Sequence, residues 1–379
     1  MTALSTAVAT ETPPELARLV DQVQTARAEK LQLDIRGGGT KTFYGGLAQG
    51  LVLHTRGLAG ISSYEPSELV ITARGGTLLA EVEAALSEKG QCLPFEPPRF
   101  GDAADASARG GTVGGMVAAG LAGPARVSVG GVRDYVLGAT LLNGRGELLS
   151  FGGQVMKNVA GYDVSRALAG SLGVLGVICE VSLKVLPLPP ATLTLRLEAD
   201  QASAIRRLNE WGGQPLPLNA SAWWDGMLVL RLSGAAAAVR SAQEKIGGEV
   251  VEAGLAATFW TGLRDHRDEF FIGAAKTVES GAALWRLSVP ATAPPLKLSG
   301  EQLLEWGGAQ RWICTSAPAG VLREAAQAVG GHAVLFRGHD KSAGTFAPLA
   351  PAVARIQREL QRAFDPDGVF NPGRLLPAA

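Results

Sequence analysis

The sequence predicts an α+β chain. Its first half is rich in glycine clusters, its second unit is a smaller ferredoxin-like α+β domain with an antiparallel sheet, and its C-terminal segment returns to the first half. Three observations predict this. Short apolar runs between Leu31 and Leu186 feed into glycine clusters, and the 379 residues include 49 glycines, well above the usual share of about 7%. After Pro187, Pro189 and Pro190 the pattern becomes strand, helix, two strands, helix, strand, which is the ferredoxin-like order. The chain closes on Phe364-Asp-Pro-Asp-Gly-Val-Phe-Asn-Pro-Gly-Arg374, where two X-Pro steps and two glycines make a rigid turn assembly.

Residues 1–11 read as a loose tail. Thr12, Pro13 and Glu15 mark a helix start, with a capping hydroxyl, a proline in the first turn and Glu at the box position. Leu16, Leu19, Val20 and Val23 keep helical spacing. Leu31, Leu33 and Ile35 alternate as a strand that runs into Arg36-Gly37-Gly38-Gly39-Thr40. Residues 51–53 and 69–72 are further strands. Thr77 caps a helix carrying Leu79, Val82 and Leu86, closed by Gly90. A proline-rich loop covers 94–98.

Residues 136–142 are an apolar run ending at Asn143-Gly144, a hairpin signal. Residues 174–186 read as one long buried strand. In the second half Leu193, Leu195 and Leu197 alternate, a helix covers about 201–210, and Asp225-Gly226 turns a hairpin. An alanine-rich helix spans about 235–246 and a strand starts at Val250. Later strands lie near 284–289, 312–315 and 333–336, with a helix near 320–328. Val353, Ile356, Leu360 and Phe364 define one face of a last helix. The implied division is 1–30, a tail and helix belonging to the first domain; 31–187, that domain; 188–350, the α+β cap; and 351–379, a helix and tail packing back.

Composition narrows the function. Apolar residues make up 46%, and 35 basic residues balance 35 acidic ones. No basic stripe favours nucleic acid. Cys92, Cys179 and Cys314 are far apart, so neither a disulfide framework nor an iron–sulfur site is supported, which fits a reducing compartment. No signal peptide is read at the N-terminus, and no uninterrupted apolar stretch reaches the ~18 residues of a membrane span.

Chemistry gathers at three glycine clusters. A strand entering Gly37-Gly38-Gly39-Thr40 leaves neighbouring backbone N–H groups free to hold a pyrophosphate, or simply makes a tight turn. Neither GxxxxGK[ST] nor GxGxxG is present. The second cluster is Gly110-Gly-Thr-Val-Gly-Gly115, which fits a closely packed helix or backbone pressed against a flat ligand. The third is Lys157-Asn-Val-Ala-Gly-Tyr-Asp163, continued by Gly170-Ser-Leu-Gly-Val-Leu-Gly-Val-Ile178.

In this order the clusters resemble the two-part, PCMH-type FAD-binding domain of the vanillyl-alcohol oxidase family, to which D-lactate and glycolate dehydrogenases belong. Residues 110–115, 132–138 and 152–163 are most similar to the FAD-binding E subunits of glycolate oxidase, and the 364–374 tail looks like that family's C-terminal signature. The resemblance covers 31–187 and 363–374. It implies that Gly37, Gly38, Gly39 and Thr40 wrap the FAD pyrophosphate. Ser107, Gly111, Thr112, Gly114 and Gly115 would line the diphosphate, ribityl and flavin path. Gly173, Gly176, Val177 and Ile178 would meet the nucleotide part, and Asn371 would support the flavin. Thr40 stands where some relatives carry a flavin-linking His, which implies non-covalent FAD. Lys41, Gly120 and Val174 also depart from the residues common there (Gly, Asn and Thr).

The resemblance further implies oxidation of a small 2-hydroxy acid, glycolate, to glyoxylate. Its partners would be a homologous FAD-binding catalytic subunit and an iron–sulfur subunit, in the cytoplasm or at the inner face of the membrane through those partners. The histidine-rich motif of catalytic relatives is absent, so no catalytic residue and no metal site is assigned. His54, His266, His332 and His339 are the only histidines. His266 reads as part of a solvated charged helix, and His332 and His339 as strand-end polar residues. Two alternatives stay open beside the subunit reading. The chain is a self-sufficient D-lactate-type dehydrogenase using Arg337 with His332 or His339, or a structural FAD-binding subunit. A reductase or aldonolactone oxidase on the same fold is a further reading. Trp223, Trp224, Trp260, Trp285, Trp306 and Trp312 read mostly as core, with some open to a partner interface.

Overall fold

The computed structural model describes residues 13–101, 110–153 and 163–376. The first half is built in two parts. In one, helix Pro14–Ala28 lays Leu19, Val23 and Ala26 on a parallel pair of strands, Leu33–Arg36 and Leu51–His54. Phe370 pairs with Leu33 on the free side of that pair. The helix cap is Pro13, which carries no side-chain cap, and Glu15 pairs with Arg18 instead. Thr12, the expected cap, lies outside the described residues.

The other part is an antiparallel five-stranded sheet in the order Ile61–Glu65, Val70–Arg74, Val177–Lys184, Val136–Leu142, Leu148–Gly152. Helices Leu79–Ser87 and Val113–Ala119 close its core around Ile71, Met116, Leu141 and Val181. The central strand starts at Val177 rather than 174, because Gly173 and Gly176 hold positive φ and keep 173–176 in a turn. The 143–144 turn is a wider loop. Asn143 Oδ1 accepts from the N–H groups of Arg145 and Glu147, both at 2.9 Å. Thr77 is not a helix cap. Its hydroxyl is bonded to the backbone of Gly60, 17 residues away, and helix Leu79–Ser87 begins without a side-chain cap. Strand Ile61–Glu65 escaped the sequence reading because Ile-Ser-Ser-Tyr-Glu offers little apolar alternation for an edge strand.

The second unit is one eight-stranded antiparallel sheet. Its first four strands take the expected ferredoxin-like arrangement, with Glu249–Val251, Ala191–Glu198, Met227–Gly234 and Leu218–Trp224 side by side. The next four repeat that order in mirror sequence: Glu301–Glu305, Gln310–Thr315, Ala283–Ser288, His332–Arg337. The halves join where Ala222 and Trp223 pair with Glu305 and Leu304.

The second half replaces its first helix with a proline-bearing loop. Arg311, almost fully buried, ties that loop down by donating to the carbonyls of Ala293, Pro294 and Gly308. Helices also cover both faces of the sheet rather than one. Leu228 and Leu230 pack under Gln201–Gly212 and Ala236–Ile246. Val229, alternating with them, joins the opposite layer, where helices Ala253–Asp265 and Glu269–Glu279 meet Tyr44 and Phe100 of the first half. Period-2 alternation puts neighbours on opposite faces, so that layer required apolar residues on both sides.

Candidate cofactor and substrate site

Strand Leu33–Arg36 delivers the chain into the 37–40 loop at the mouth of a cleft that is open to solvent. Among the described residues, the N–H groups of Gly37, Gly38, Gly39 and Thr40 donate to nothing. Four such groups in succession form an anion-binding concavity. Gly37 has to be glycine, because a Cβ there would lie 2.2 Å from Thr112 Oγ1. That same oxygen accepts the Gly115 N–H at 3.2 Å and caps helix Val113–Ala119. Gly120 ends the helix with φ +63, where a Cβ would press on Gly170. The loop and the helix start therefore share one hydroxyl, which fixes their distance.

The structure brings Gly37, Gly38, Gly39, Thr40, Thr112, Gly114, Gly115, Gly173, Gly176, Val177, Ile178 and Asn371 onto the walls of this one cleft. Gly111 stands just behind them, its carbonyl accepting from Leu79 N at 2.9 Å. Ser107 and residues 154–162, including Lys157, Asn158 and Tyr162, lie outside the described residues. The walls also include Asp34, Arg36, Thr42 and Arg374, which sequence reasoning had not placed in the site, and Lys41, which it had noted only as a departure from the family pattern.

The C-terminal turn is the clasp of the cleft. Leu33 N donates to Val369 O at 2.7 Å and Asn371 N to Leu33 O at 2.8 Å. The buried Asn371 amide accepts Ile35 N at 2.7 Å and donates to Leu172 O at 2.6 Å. It thus stitches together three segments distant in sequence. Arg374 donates to the carbonyls of Thr42, Tyr44 and Gly46. Asp365 receives the N–H groups of Val369 and Phe370 at 2.9 and 2.8 Å, which holds the turn in shape.

Across from the clasp, the inner face of the cap sheet presents two arginines. Arg286 Nη2 donates to the Tyr44 hydroxyl at 3.1 Å, while its buried Nε has no partner among the described residues. The guanidinium of Arg337 lies 3.5 Å from the centre of the Phe43 ring and makes no ion pair among the described residues. Burial lowers its pKa to about 10, so it remains a cation at neutral pH. Lys41 is pushed down to about 8 by burial, against the pull of Asp265. Asp265 is itself engaged by Arg264, Arg267 and the Arg99 N–H. The locality is therefore a half-buried cationic surface without a free counter-charge among the described residues.

His266 is not on a solvated helix. It holds a left-handed backbone (φ 56) at the end of helix Ala253–Asp265 and stacks on Phe271 at 3.6 Å, boxed by Phe100, Trp312 and Phe336. Burial, reinforced by Arg337 and Arg286, holds it neutral. Sequence reasoning missed it because its neighbours Arg264, Asp265, Arg267 and Asp268 look solvated, yet they pair or cap locally. His332 and His339 are exposed, and His332 sits at the far end of its strand from Arg337. Among the described residues no group of His, Cys, Asp or Glu is placed to hold a metal. Trp260, Trp285 and Trp312 are core, and the indole N–H groups of Trp223, Trp224 and Trp306 are bonded within the chain.

Behind His266, Glu305 is raised to about 7 by burial, against hydrogen bonds from Trp312 and Gln310. Its pKa is above the unfolded value of 4.5. The penalty for ionising it in the fold is therefore absent below that pH, grows between the two values and is full above about 7. Glu305→Gln is expected to leave stability unchanged at pH 4 and to raise it at pH 8 by on the order of 2–3 kcal/mol. Urea unfolding at the two pH values measures this, and an equal effect at both would contradict it.

Residues 8–152 match the FAD binding domain family. The chain is 46% identical to the glycolate oxidase subunit GlcE of Escherichia coli (strain K12), over 94% of this chain and 96% of that one. It is 31% identical to the glycolate oxidase subunit GlcD of Bacillus subtilis (strain 168), over 42% of this chain and 33% of that one. A D-lactate dehydrogenase of Anaerostipes hadrus is 30% identical, over 42% and 30% of the two chains. The solved structure of an alkyldihydroxyacetonephosphate synthase superposes with a TM-score of 0.65 at 14% identity, covering 94% of this chain and 74% of that one, which shows a shared fold. No described helix is long and apolar enough to cross a membrane. With the cleft, its N–H groups without a partner among the described residues, and 46% identity over nearly the full length of both chains taken together, the chain belongs to the GlcE family of glycolate oxidase subunits, FAD-dependent oxidoreductases.

Proposed function

We propose that this chain is the FAD-binding subunit of a complex that oxidises glycolate to glyoxylate and passes the electrons to a partner. The observation that carries the reading is the run of four N–H groups at Gly37–Thr40, without a partner among the described residues, inside a cleft closed by the C-terminal clasp. Such donors suit a pyrophosphate, because N–H groups already aimed together offset the hydration that its oxygens lose. Gly37, Gly38, Gly39 and Thr40 would hold the pyrophosphate. Thr112, Gly114 and Gly115, with Gly111 behind them and Ser107 nearby in sequence, would follow the diphosphate and ribityl path. Gly173, Gly176, Val177 and Ile178 would receive the nucleotide, and Asn371 would keep the clasp against it. With Thr40 at the end of the loop no histidine is available there for a covalent link, so the FAD is held non-covalently.

The flavin, when bound, supplies the two-electron acceptor for the α C–H bond of the hydroxy acid. The chain's own residues supply an anchor: Arg286 and Arg337, short of counter-charge, suit the substrate carboxylate. Neutral His266 lies beside them, its Nδ1 without a partner among the described residues. We assign the domain work as 31–187 with the first helix for FAD, 188–350 for the cap, and 351–379 for the last helix and the clasp that follows it. The partners are a homologous FAD-binding subunit and an iron–sulfur subunit, in the cytoplasm or at the inner membrane face. A self-sufficient dehydrogenase is the second reading, favoured by the Arg286, Arg337 and His266 grouping.

The absorbance spectrum of the purified chain, before and after acid precipitation and then with anaerobic glycolate, tests this. A flavin spectrum released by acid supports non-covalent FAD. No bleaching by glycolate until partners are added supports the subunit reading, whereas bleaching of the lone chain supports the second. A chain that neither carries nor takes up FAD would overturn both.

A further inference from the structure

Segment 42–46 follows the 37–40 loop, and each of its five carbonyls is held by a cation. Arg374 of the clasp takes alternate ones, donating to Thr42 O, Tyr44 O and Gly46 O at 2.9, 2.6 and 2.7 Å. Lys341 of the cap takes the two between, donating to Phe43 O at 2.6 Å and to Gly45 O at 2.7 Å. None of the five accepts a backbone N–H among the described residues, so the two side chains alone meet them. An unmet buried carbonyl is costly. Burial, and then the nearby Arg374, holds the Lys341 ammonium below its ordinary pKa. The carbonyl dipoles offset that repulsion, because hydrogen bonds from a cation are the stronger kind.

Both ends of the clamp are built. Lys341 lies in the turn after strand His332–Arg337. Arg323 of helix Ala319–Ala328 fixes that turn by donating to Ala343 O and Gly344 O at 2.7 and 2.6 Å, and Asp340 accepts the Ser342 N–H at 2.8 Å. On the other side Gly46 N donates to Arg374 O at 2.9 Å, an approach so close that a Cβ on Gly46 would run into the Gly373 carbonyl.

The side chains of the clamped segment face the two arginines of the cap. The Phe43 ring lies against Arg337. The Tyr44 hydroxyl is the one hydrogen-bond partner of Arg286 among the described residues, at 3.1 Å. Moving the segment therefore moves what Arg286 and Arg337 rest on. A guanidinium recognises a carboxylate through a rigid fork, so its direction has to be set before the ligand arrives.

We propose that Lys341 is a positioning residue of the substrate site: with Arg374 it fixes 42–46 so that Tyr44 and Phe43 keep Arg286 and Arg337 aimed at one carboxylate. The inference rests on the reading of those arginines as the substrate anchor and adds what aims them. The Lys341 ammonium is committed to two carbonyls, so it acts through the segment.

Glycolate titration of the flavin absorbance, on the flavin-loaded full chain, compares wild type with Lys341→Met, Lys341→Arg, Tyr44→Phe and the Lys341→Met/Tyr44→Phe pair. Lys341→Met is expected to weaken glycolate binding by about tenfold. Its FAD content should stay at the wild-type level, because Arg374 still holds alternate carbonyls. Lys341→Arg keeps the charge and offers a fork of donors, so it should bind within about threefold of wild type. The pair should lose less than the product of its single losses, since both act through Arg286. Losses that multiply would overturn the inference. So would wild-type binding by Lys341→Met where Arg286→Met weakens it, a result that leaves the arginine anchor standing. A wild-type chain that carries FAD yet binds no glycolate would remove both. A folded Lys341→Met chain that sheds its flavin would make Lys341 part of the cofactor site and overturn the inference too. If that chain does not fold, Tyr44→Phe decides: binding weaker by about tenfold supports the inference, and unchanged binding overturns it.

Discussion

Deleting residues 364–379 is expected to release the FAD almost completely, lowering the flavin-to-protein absorbance ratio by about tenfold or more. The segment carries the fully buried Phe370, worth about 1.5–3 kcal/mol of burial, and the parallel pairing beside Leu33. Its loss uncovers one side of the strand that delivers the 37–40 loop. It also frees Ile35 N and Leu172 O, which Asn371 holds, and the carbonyls of Thr42, Tyr44 and Gly46, which Arg374 holds. An unmet buried hydrogen-bonding group costs about 1–3 kcal/mol, so the loop would lose its fixed geometry. Two point variants separate shape from bulk: Asn371→Leu and Arg374→Leu keep the tail but break each set of bonds. Both should lower the melting temperature and the FAD content. A truncated chain that folds and keeps its full flavin complement would show that the clasp does not hold the cleft.

Arg337→Met and Arg286→Met are each expected to weaken glycolate binding to the flavin-loaded protein by about 10- to 100-fold. A hydrogen bond to a charged group contributes about 1.5–3 kcal/mol, and about 1.4 kcal/mol is a factor of ten. Glycolate titration of the flavin absorbance, or calorimetry, reads the dissociation constant. The second readout is stability. Arg337 is half-buried against Phe43 with no ion pair among the described residues, so removing its charge relieves desolvation, and the melting temperature without glycolate should hold or rise. A structural arginine would do the opposite. Unchanged glycolate affinity in both variants would remove these residues from the substrate site.

Much of this molecule was already legible as sequence. The three glycine clusters, the ferredoxin-like succession after Pro190 and the turn-rich tail are local patterns, set by φ preferences and apolar periodicity. Gly37–Thr40, Thr112–Gly115 and Gly173–Ile178 could be singled out because each is a backbone feature written in its own residues; that they line one cleft is the work of the fold. Tertiary structure decided what depends on residues far apart. Thr77, a plausible cap by its neighbours, bonds to Gly60 because the packing of the first strands puts Gly60 beside it. His266, among four charged residues, is buried because Phe100 and Phe336 close over it from other segments. The edge-to-edge joining of two four-stranded units at Trp223 and Leu304 left no mark on either strand's own pattern. Helix Pro351–Phe364 shows the same limit: its 3.6-residue period determined that it has an apolar face, but only the surrounding fold could decide that the face points outward, with Val353, Ile356 and Leu360 exposed. Periodicity reports that a side must be covered, and the covering partner is a long-range fact that no local spacing contains.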